Sequence, residues 1–310
     1  MVLVAAMLWS LSGIAVKWAD VDPIAFSALR GLGAAAAMVP LLGVGARLTG
    51  RAKPRRDLML GLAILHTVMI TSFICAMTWA TAAEGIFLQY SAPAWAALYA
   101  WLLLGRRIDR VTILALVVAM AGILIILGLD RGGGGGGGGA TRGGGWLGPM
   151  LGLVAGISYG GVILSLDLID GDARRRTGMT SNVFLIILIS NLASSVVLVP
   201  WALARGLLEI PLSLVAMIIL FGVAQMATPY IFFQVGLRRV GPVAAGLIAL
   251  IEPVLNPIWV WLGHGEVPPR SIYFGGALIL LAVVITAAFG RKRGPETKQG
   301  TAADLAVPSQ

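Results

Sequence analysis

The sequence predicts an all-α membrane protein of ten transmembrane helices, arranged as two inverted repeats of five. Three observations carry this. Of the 310 residues, 58% are hydrophobic and only 12% are charged, with a mean hydropathy of +0.91; a soluble protein carries about twice that charged share. Apolar runs long enough to cross a hydrocarbon core of about 30 Å recur along the chain. Lysine and arginine gather in alternate loops, as the positive-inside rule requires.

The spans read 2–18, 23–46, 58–79, 83–104, 111–128, 147–169, 181–203, 213–235, 243–262 and 271–289. The first, MVLVAAMLWSLSGIAVKWAD, lacks the basic start of a signal peptide and reads as a helix that stays. Its start is abrupt, as if a few residues preceded it. With the N-terminus inside, the inner loops hold sixteen basic residues: Arg47, Arg51, Lys53, Arg55 and Arg56; Arg106, Arg107 and Arg110; Arg174, Arg175 and Arg176; Arg238 and Arg239; Arg291, Lys292 and Arg293. The outer loops hold four, Arg131, Arg142, Arg205 and Arg270. Both termini are thus expected in the cytoplasm and the protein in the plasma membrane. A net charge of +9 dispersed in this way argues against nucleic acid as a partner. The single cysteine, Cys75, lies in an apolar run, so no intrachain disulfide forms.

Eight consecutive glycines at 132–139 separate the fifth span from the sixth. They lack the Gly-Lys-Ser/Thr ending of a phosphate-binding loop and read as an external linker. Residues 1–128 form the first predicted repeat, 129–146 the linker, 147–290 the second repeat, and 291–310 a cytoplasmic tail expected to be disordered. At an offset of 160, Pro93 pairs with Pro253, Trp101 with Trp261, Leu102 with Leu262, Gly105 with Gly265 and Arg110 with Arg270. Five spans per repeat is odd, so the second copy enters the membrane upside down. The charges agree, since GRRIDR after the fourth span is basic and GHGEVPPR after the ninth is neutral.

The ninth span, VAAGLIALIEPVLNPIWVWL, carries the chemistry. Glu252 sits near its centre and Asn256 one turn on, each followed by a proline. Pro253 cannot donate to the Ala249 carbonyl, nor Pro257 to that of Pro253. Two freed carbonyls, a carboxyl and an amide therefore gather on adjoining turns, tolerable in lipid only where protein or water satisfies them. The plain alternative is a kinked helix whose protonated Glu252 is tied to a neighbour. Arg30, two turns into the second span, must snorkel, meet an acid or face water. Glu84 opens the fourth span, with Gln89 and Pro93 further along; the bland reading of Glu84 is a helix-start carboxylate favoured by the dipole. Gly85, Gln89, Pro93 and Ala97, like Gly241, Ala245, Ala249 and Pro253, recur every four residues and permit close helix approach. Trp9, Tyr90, Tyr159 and Tyr230 sit deep among small residues and are cavity-lining candidates. His66, Asn191, Gln225 and Gln234 are buried polar groups that one interhelical hydrogen bond apiece would explain. His66 and His264 are the only histidines and neither has ligands at metal spacing, so zinc is not expected.

One motif is a decoy. DLIDGDAR at 167–174 resembles the start of the phosphatidyl-alcohol transferase signature but is one residue short, and the later glycine and paired aspartates are missing. It reads as a solvated turn ahead of the inside-positive arginines.

DPIAFSALR in the second span and IEPVLNPIWVWLGHGE closing the ninth, in that order on ten spans, resemble the drug/metabolite transporter superfamily and within it the EamA-type ten-helix permeases. The resemblance covers about residues 3–289. It implies two inverted five-helix repeats around a central cavity, no cofactor, and movement of small metabolites, often export of amino acids or related compounds. By the same resemblance Glu252 and Pro253 occupy the family's Glu-Pro position, Glu266 its helix-end glutamate and Arg30 its second-span arginine. The first repeat departs from the pattern: Ala92 replaces the acid and Arg106 stands where the second glutamate would be. Chemistry needing two symmetric carboxylates therefore lacks its second acid at that position.

The expected function is a secondary transporter, an exporter of a small polar metabolite, with Glu252, Pro253, Asn256, Glu84, Gln89, Arg30, Trp9, Tyr90, Tyr159, Tyr230 and Gln225 along the pathway. Partners are the small-molecule substrate, the lipid bilayer and, as coupling ion, protons, which a carboxyl in a low-dielectric cavity is suited to carry. Two rivals stand beside it. An intramembrane enzyme on lipid-linked substrates would need a catalytic cluster at one surface, whereas the acids here are scattered. A membrane scaffold or sensor would not need Glu252 at all.

Overall fold

The computed structural model describes residues 1–106, 110–128 and 145–289. Residues 129–144 of the predicted linker at 129–146, and the whole predicted tail at 291–310, lie outside the described residues. Among those described, nine helical segments are long and apolar enough to cross a membrane. Four helices follow the prediction to within two residues at each end: α3 (Pro23–Leu48), α4 (Arg56–Trp79), α7 (Arg110–Gly128) and α9 (Val183–Ala204). The last span does so too, as a π-turn at Ile272–Gly276 followed by α12 (Ala277–Phe289). Between them α10 (Leu212–Ala249) runs from the eighth predicted span, across a turn at Gly241, into the ninth, which α11 (Ile251–His264) completes. Asp22 caps α3, accepting from the Ile24 and Ala25 amides at 2.9 and 3.3 Å ahead of Pro23 in the first turn. Asn182 caps α9 in the same way.

Three predicted spans are not single rods. The first consists of α1 (Val2–Trp9) and α2 (Ser12–Ala19), joined at Ser10–Leu11. The predicted fourth is a pair, α5 (Ala82–Gln89) and α6 (Ala92–Leu104), joined at Tyr90–Ser91, and each is too short to cross alone. The ninth breaks at Leu250, between the end of α10 and α11. Each joint tightens to a bond three residues back: Leu11 donates to Leu8, Ser91 to Leu88 and Leu250 to Leu247, at 3.2–3.4 Å. Such a stretch inside a helix marks a hinge. At two joints a proline follows, Pro93 and Pro253, seated in the first turn of the next helix, where the missing N–H costs nothing. The breaks at Tyr90 and Leu250 lie 160 residues apart, as do the left-handed C-caps Gly105 (φ 60°) and Gly265 (φ 73°).

The motif at 167–174 is helical, not a turn: α8 (Leu147–Thr177) runs two turns past the predicted span. Its acids meet arginines, Asp170 with Arg174 at 3.0 Å and Asp172 with Arg176 at 2.6 Å, the i,i+4 spacing that favours continued helix.

Glycine sets how closely the helices pack. On α8, Gly148, Gly152, Gly156 and Gly160 recur every four residues, and a Cβ at each would strike α4, α5 or α6. The predicted stripe ending at Pro253 behaves otherwise: Gly241 (φ 78°) has open space beside it and turns the chain inside α10. Gly33 and Gly222 seat α3 against α10, each facing a backbone carbonyl of the other helix.

Loops predicted to share a face meet one another. On the arginine-rich face Ala52 bridges Ser181, Arg176 donates to the Lys53 carbonyl, Arg106 pairs with Asp167 at 2.8 Å, and Arg238 donates to the Arg47 and Leu48 carbonyls. On the opposite face Lys17 pairs with Glu266, Trp18 donates to the Gly263 carbonyl, and Arg205 pairs with Asp22. These contacts join loops from well-separated parts of the chain.

Candidate functional site

The first two joints both bond to α11, which begins at the third. The Tyr90 hydroxyl, at the α5–α6 joint, donates to Glu252 Oε2 at 2.9 Å and reaches the Ala249 carbonyl at 3.5 Å. That carbonyl is the one Pro253 leaves without its helical donor. Asn256 is fully buried, and its Nδ2 donates to Ser12 Oγ at 3.0 Å while Oδ1 has no partner among the described residues. Trp259 Nε1 donates to Ser10 Oγ at 2.8 Å. Ser10 donates in turn to the Met7 carbonyl at 2.7 Å, a local bond that competes with helix continuation and accounts for a break without proline. One face of α11 is thereby tied to both neighbouring joints.

A second polar group lies alongside. Arg30, 4% exposed, donates from Nη1 to Gln225 Oε1 at 2.6 Å, and its Nε has no partner among the described residues. Gln225 passes its own amide to the Trp9 carbonyl at 3.3 Å. The Trp9 ring meets Tyr230 edge-on, centroids 5.2 Å apart, and leans on Phe233 at 5.4 Å. Tyr230 feels the charges of both Arg30 and Glu252, and Tyr159 that of Glu252. Glu252, Tyr90, Tyr159, Tyr230 and Trp9 all retain accessible surface although each lies far from the span ends. A carboxyl, a buried guanidinium and four aromatics thus stand in mid-span, groups of the kind that bind a polar solute.

The EamA-like transporter family matches residues 1–128 and 146–288. The chain belongs to that family. A protein of Archaeoglobus fulgidus named as an uncharacterized transporter is 28% identical over 234 residues, which span 75% of this chain and 77% of that one. One solved crystal structure superposes over 92% of this chain and 94% of its own with a TM-score of 0.54 at 17% identity, a likeness of fold alone. As an EamA-like protein the chain is a multi-pass membrane transporter.

Within this EamA-like frame the remaining predicted residues fall in different places. Glu84 is buried in a capping box, accepting from the Thr81 amide and hydroxyl at 3.0 Å, and so serves the start of α5. Gln89 is buried on α5 beside the Tyr90 joint, and Pro253 on the first turn of α11. His66 and Thr67 both meet Ser194, at 3.0 and 2.9 Å, linking α4 to α9. Asn191 bonds back to the Ile187 carbonyl on its own helix. Among the described residues no group of three or more His, Cys, Asp or Glu is placed to hold a metal. Sequence reasoning missed Ser10 and Ser12, because a serine in an apolar span announces no partner. It also missed Lys17, which reads as an ordinary interface lysine.

Proposed function

We propose that the protein is a secondary transporter moving a small polar metabolite, of the amino-acid type, by alternating access, with Glu252 as the central binding group. The observation that carries this is the Glu252–Tyr90 hydrogen bond at the meeting of two broken helices, beside surface that stays accessible in mid-span. Broken helices at mid-membrane present unpaired backbone groups and hinge at the same place. The equal spacing of the two breaks and the two glycine caps supports an inverted repeat of two five-span units. On this reading α5 and α6 together make a tenth crossing. Glu252 takes either a proton or a cationic group of the solute, Asn256 and the Ala249 carbonyl orient it, and rocking of the two units alternates access. The basic face is cytoplasmic by the positive-inside rule, and export is the proposed direction.

The test is counterflow of a panel of labelled solutes into vesicles containing the purified protein, with and without an imposed pH gradient. Accumulation of one solute class above empty vesicles is expected. No flux of any solute, together with turnover of a lipid-linked precursor, would favour the enzyme reading instead.

A further inference from the structure

On the face opposite the arginines, Lys17 and Glu266 form a compact polar knot. Lys17 Nζ lies 2.6 Å from Glu266 Oε2 and 3.2 Å from the Ala80 carbonyl, while Glu266 Oε1 accepts the Ala82 amide at 2.7 Å. Neither charged side chain is more than about one-eighth exposed: 13% for Lys17 and 12% for Glu266. Next to them Trp18 donates to the Gly263 carbonyl at 3.2 Å. The knot ties the ends of α2 and α4 and the start of α5 to the end of α11.

These helices share a second property. α2, α5 and α11 are the segments on the Glu266 side of the three joints, and α2 and α5 both pack on α11. On the other side of the joints the packing partners differ. α1 runs along α10, and α6 is seated on α8 with slighter contacts to α7 and α12. α6 has no comparable packing against α1, α10 or α11 among the described residues. On the Glu266 side the segments therefore share α11, whereas on the other side α1 and α6 are held on different helices, α10 and α8.

We propose that the Lys17–Glu266 pair is the latch of the gate on that face, holding α2, α5 and α11 together when the site faces the arginine-rich side. The inference rests on the alternating-access reading above. A latch must hold yet release, and position serves both needs. The pair is shielded enough to be ordered, but it sits at the rim, so parting the helices returns each group to water rather than leaving a bare charge in lipid. The acceptor on the Ala82 amide adds a register, because closure places Glu266 on the first turn of α5.

The test is hydrogen–deuterium exchange of the full-length protein in lipid nanodiscs, comparing wild type with Glu266→Gln, Lys17→Met and Lys17→Arg. Glu266→Gln keeps an acceptor for Ala82 and removes only the ion pair. Glu266→Gln and Lys17→Met are expected to raise exchange in 12–19, 82–89 and 251–264 about fivefold or more and to lower it in 2–9 and 92–104, because opening one side closes the other. Lys17→Arg is expected to match wild type. A rise without the reciprocal fall would make the pair a local brace and overturn the proposal, as would no change. Aggregation of both disruptive variants would make it a folding contact and overturn the proposal equally. Full flux in Glu252→Gln would remove the binding-site reading yet leave this exchange pattern untouched, so the two failures are distinguishable.

Discussion

Tyr90→Phe removes one oxygen from the site and nothing else. In the structure that oxygen donates to the Glu252 carboxyl at 2.9 Å; its second contact, to the Ala249 carbonyl at 3.5 Å, is at the limit of a hydrogen bond and contributes little. A hydrogen bond to a charged acceptor is worth about 1.5–3 kcal/mol net, a factor of roughly 10–150 in binding or in kcat/KM. Phenylalanine retains the ring, so packing at the joint is kept. The assay is initial uptake at low solute concentration in proteoliposomes, using whichever solute the counterflow panel identifies. Tyr99→Phe is the control, since its hydroxyl also donates, to the Ile157 carbonyl at 3.3 Å, away from the three joints. Tyr90→Phe is expected to lower kcat/KM about 10- to 100-fold, and Tyr99→Phe to stay within about twofold. A Tyr90→Phe protein indistinguishable from wild type would refute the claim that this hydroxyl orients Glu252.

Other outcomes follow from the same geometry. Gly13→Ala sets a methyl against the Asn256 amide and Val260, about 3 Å or closer, and overpacking at such a contact costs about 1–3 kcal/mol; thermal melts in detergent should fall, and transport with them. Gly222→Ala drives a methyl onto the Arg30 backbone carbonyl and should destabilise by at least a similar amount, read by the same melt. Ser12→Ala leaves the buried Asn256 Nδ2 without an acceptor, a loss of about 1–3 kcal/mol, whereas Ser12→Thr should retain most of the stability. At the start of α4, Arg55 donates to Asp57 at 2.6 and 3.1 Å with both side chains exposed; such a screened pair is worth little, so Asp57→Asn should leave the melt unchanged.

Much of the fold was legible in the sequence because hydrophobic length and loop charge are properties of contiguous residues. The ends of α3, α4, α7 and α9 fall within two residues of the predicted bounds. The overrun of α8 was not legible: the two turns beyond the membrane are held by acid–arginine pairs that read equally well as a loop. The joint at Tyr90–Ser91 shows why prolines help, since Pro93 marks the place; the joint at Ser10–Leu11 has no such marker and depends on a serine bonding back to Met7. At the site, the freed Ala249 carbonyl and the central Glu252 follow from proline chemistry alone. Their shared partner, Tyr90, reads as a cavity residue, but its distance in sequence from position 252 hides the contact. Arg30 and Gln225 each stand out in the sequence as polar groups inside spans, and only the packing of α3 on α10 reveals that they meet.

The most direct measurement is solute flux through Glu252→Gln, reconstituted at the same density as wild type and verified as folded by an unchanged melt. Glutamine matches glutamate in size and still accepts from Tyr90, so only the charge and the exchangeable proton are lost. Flux at the level of empty vesicles is the predicted result. Wild-type flux in the folded variant would contradict a carboxyl-centred pathway.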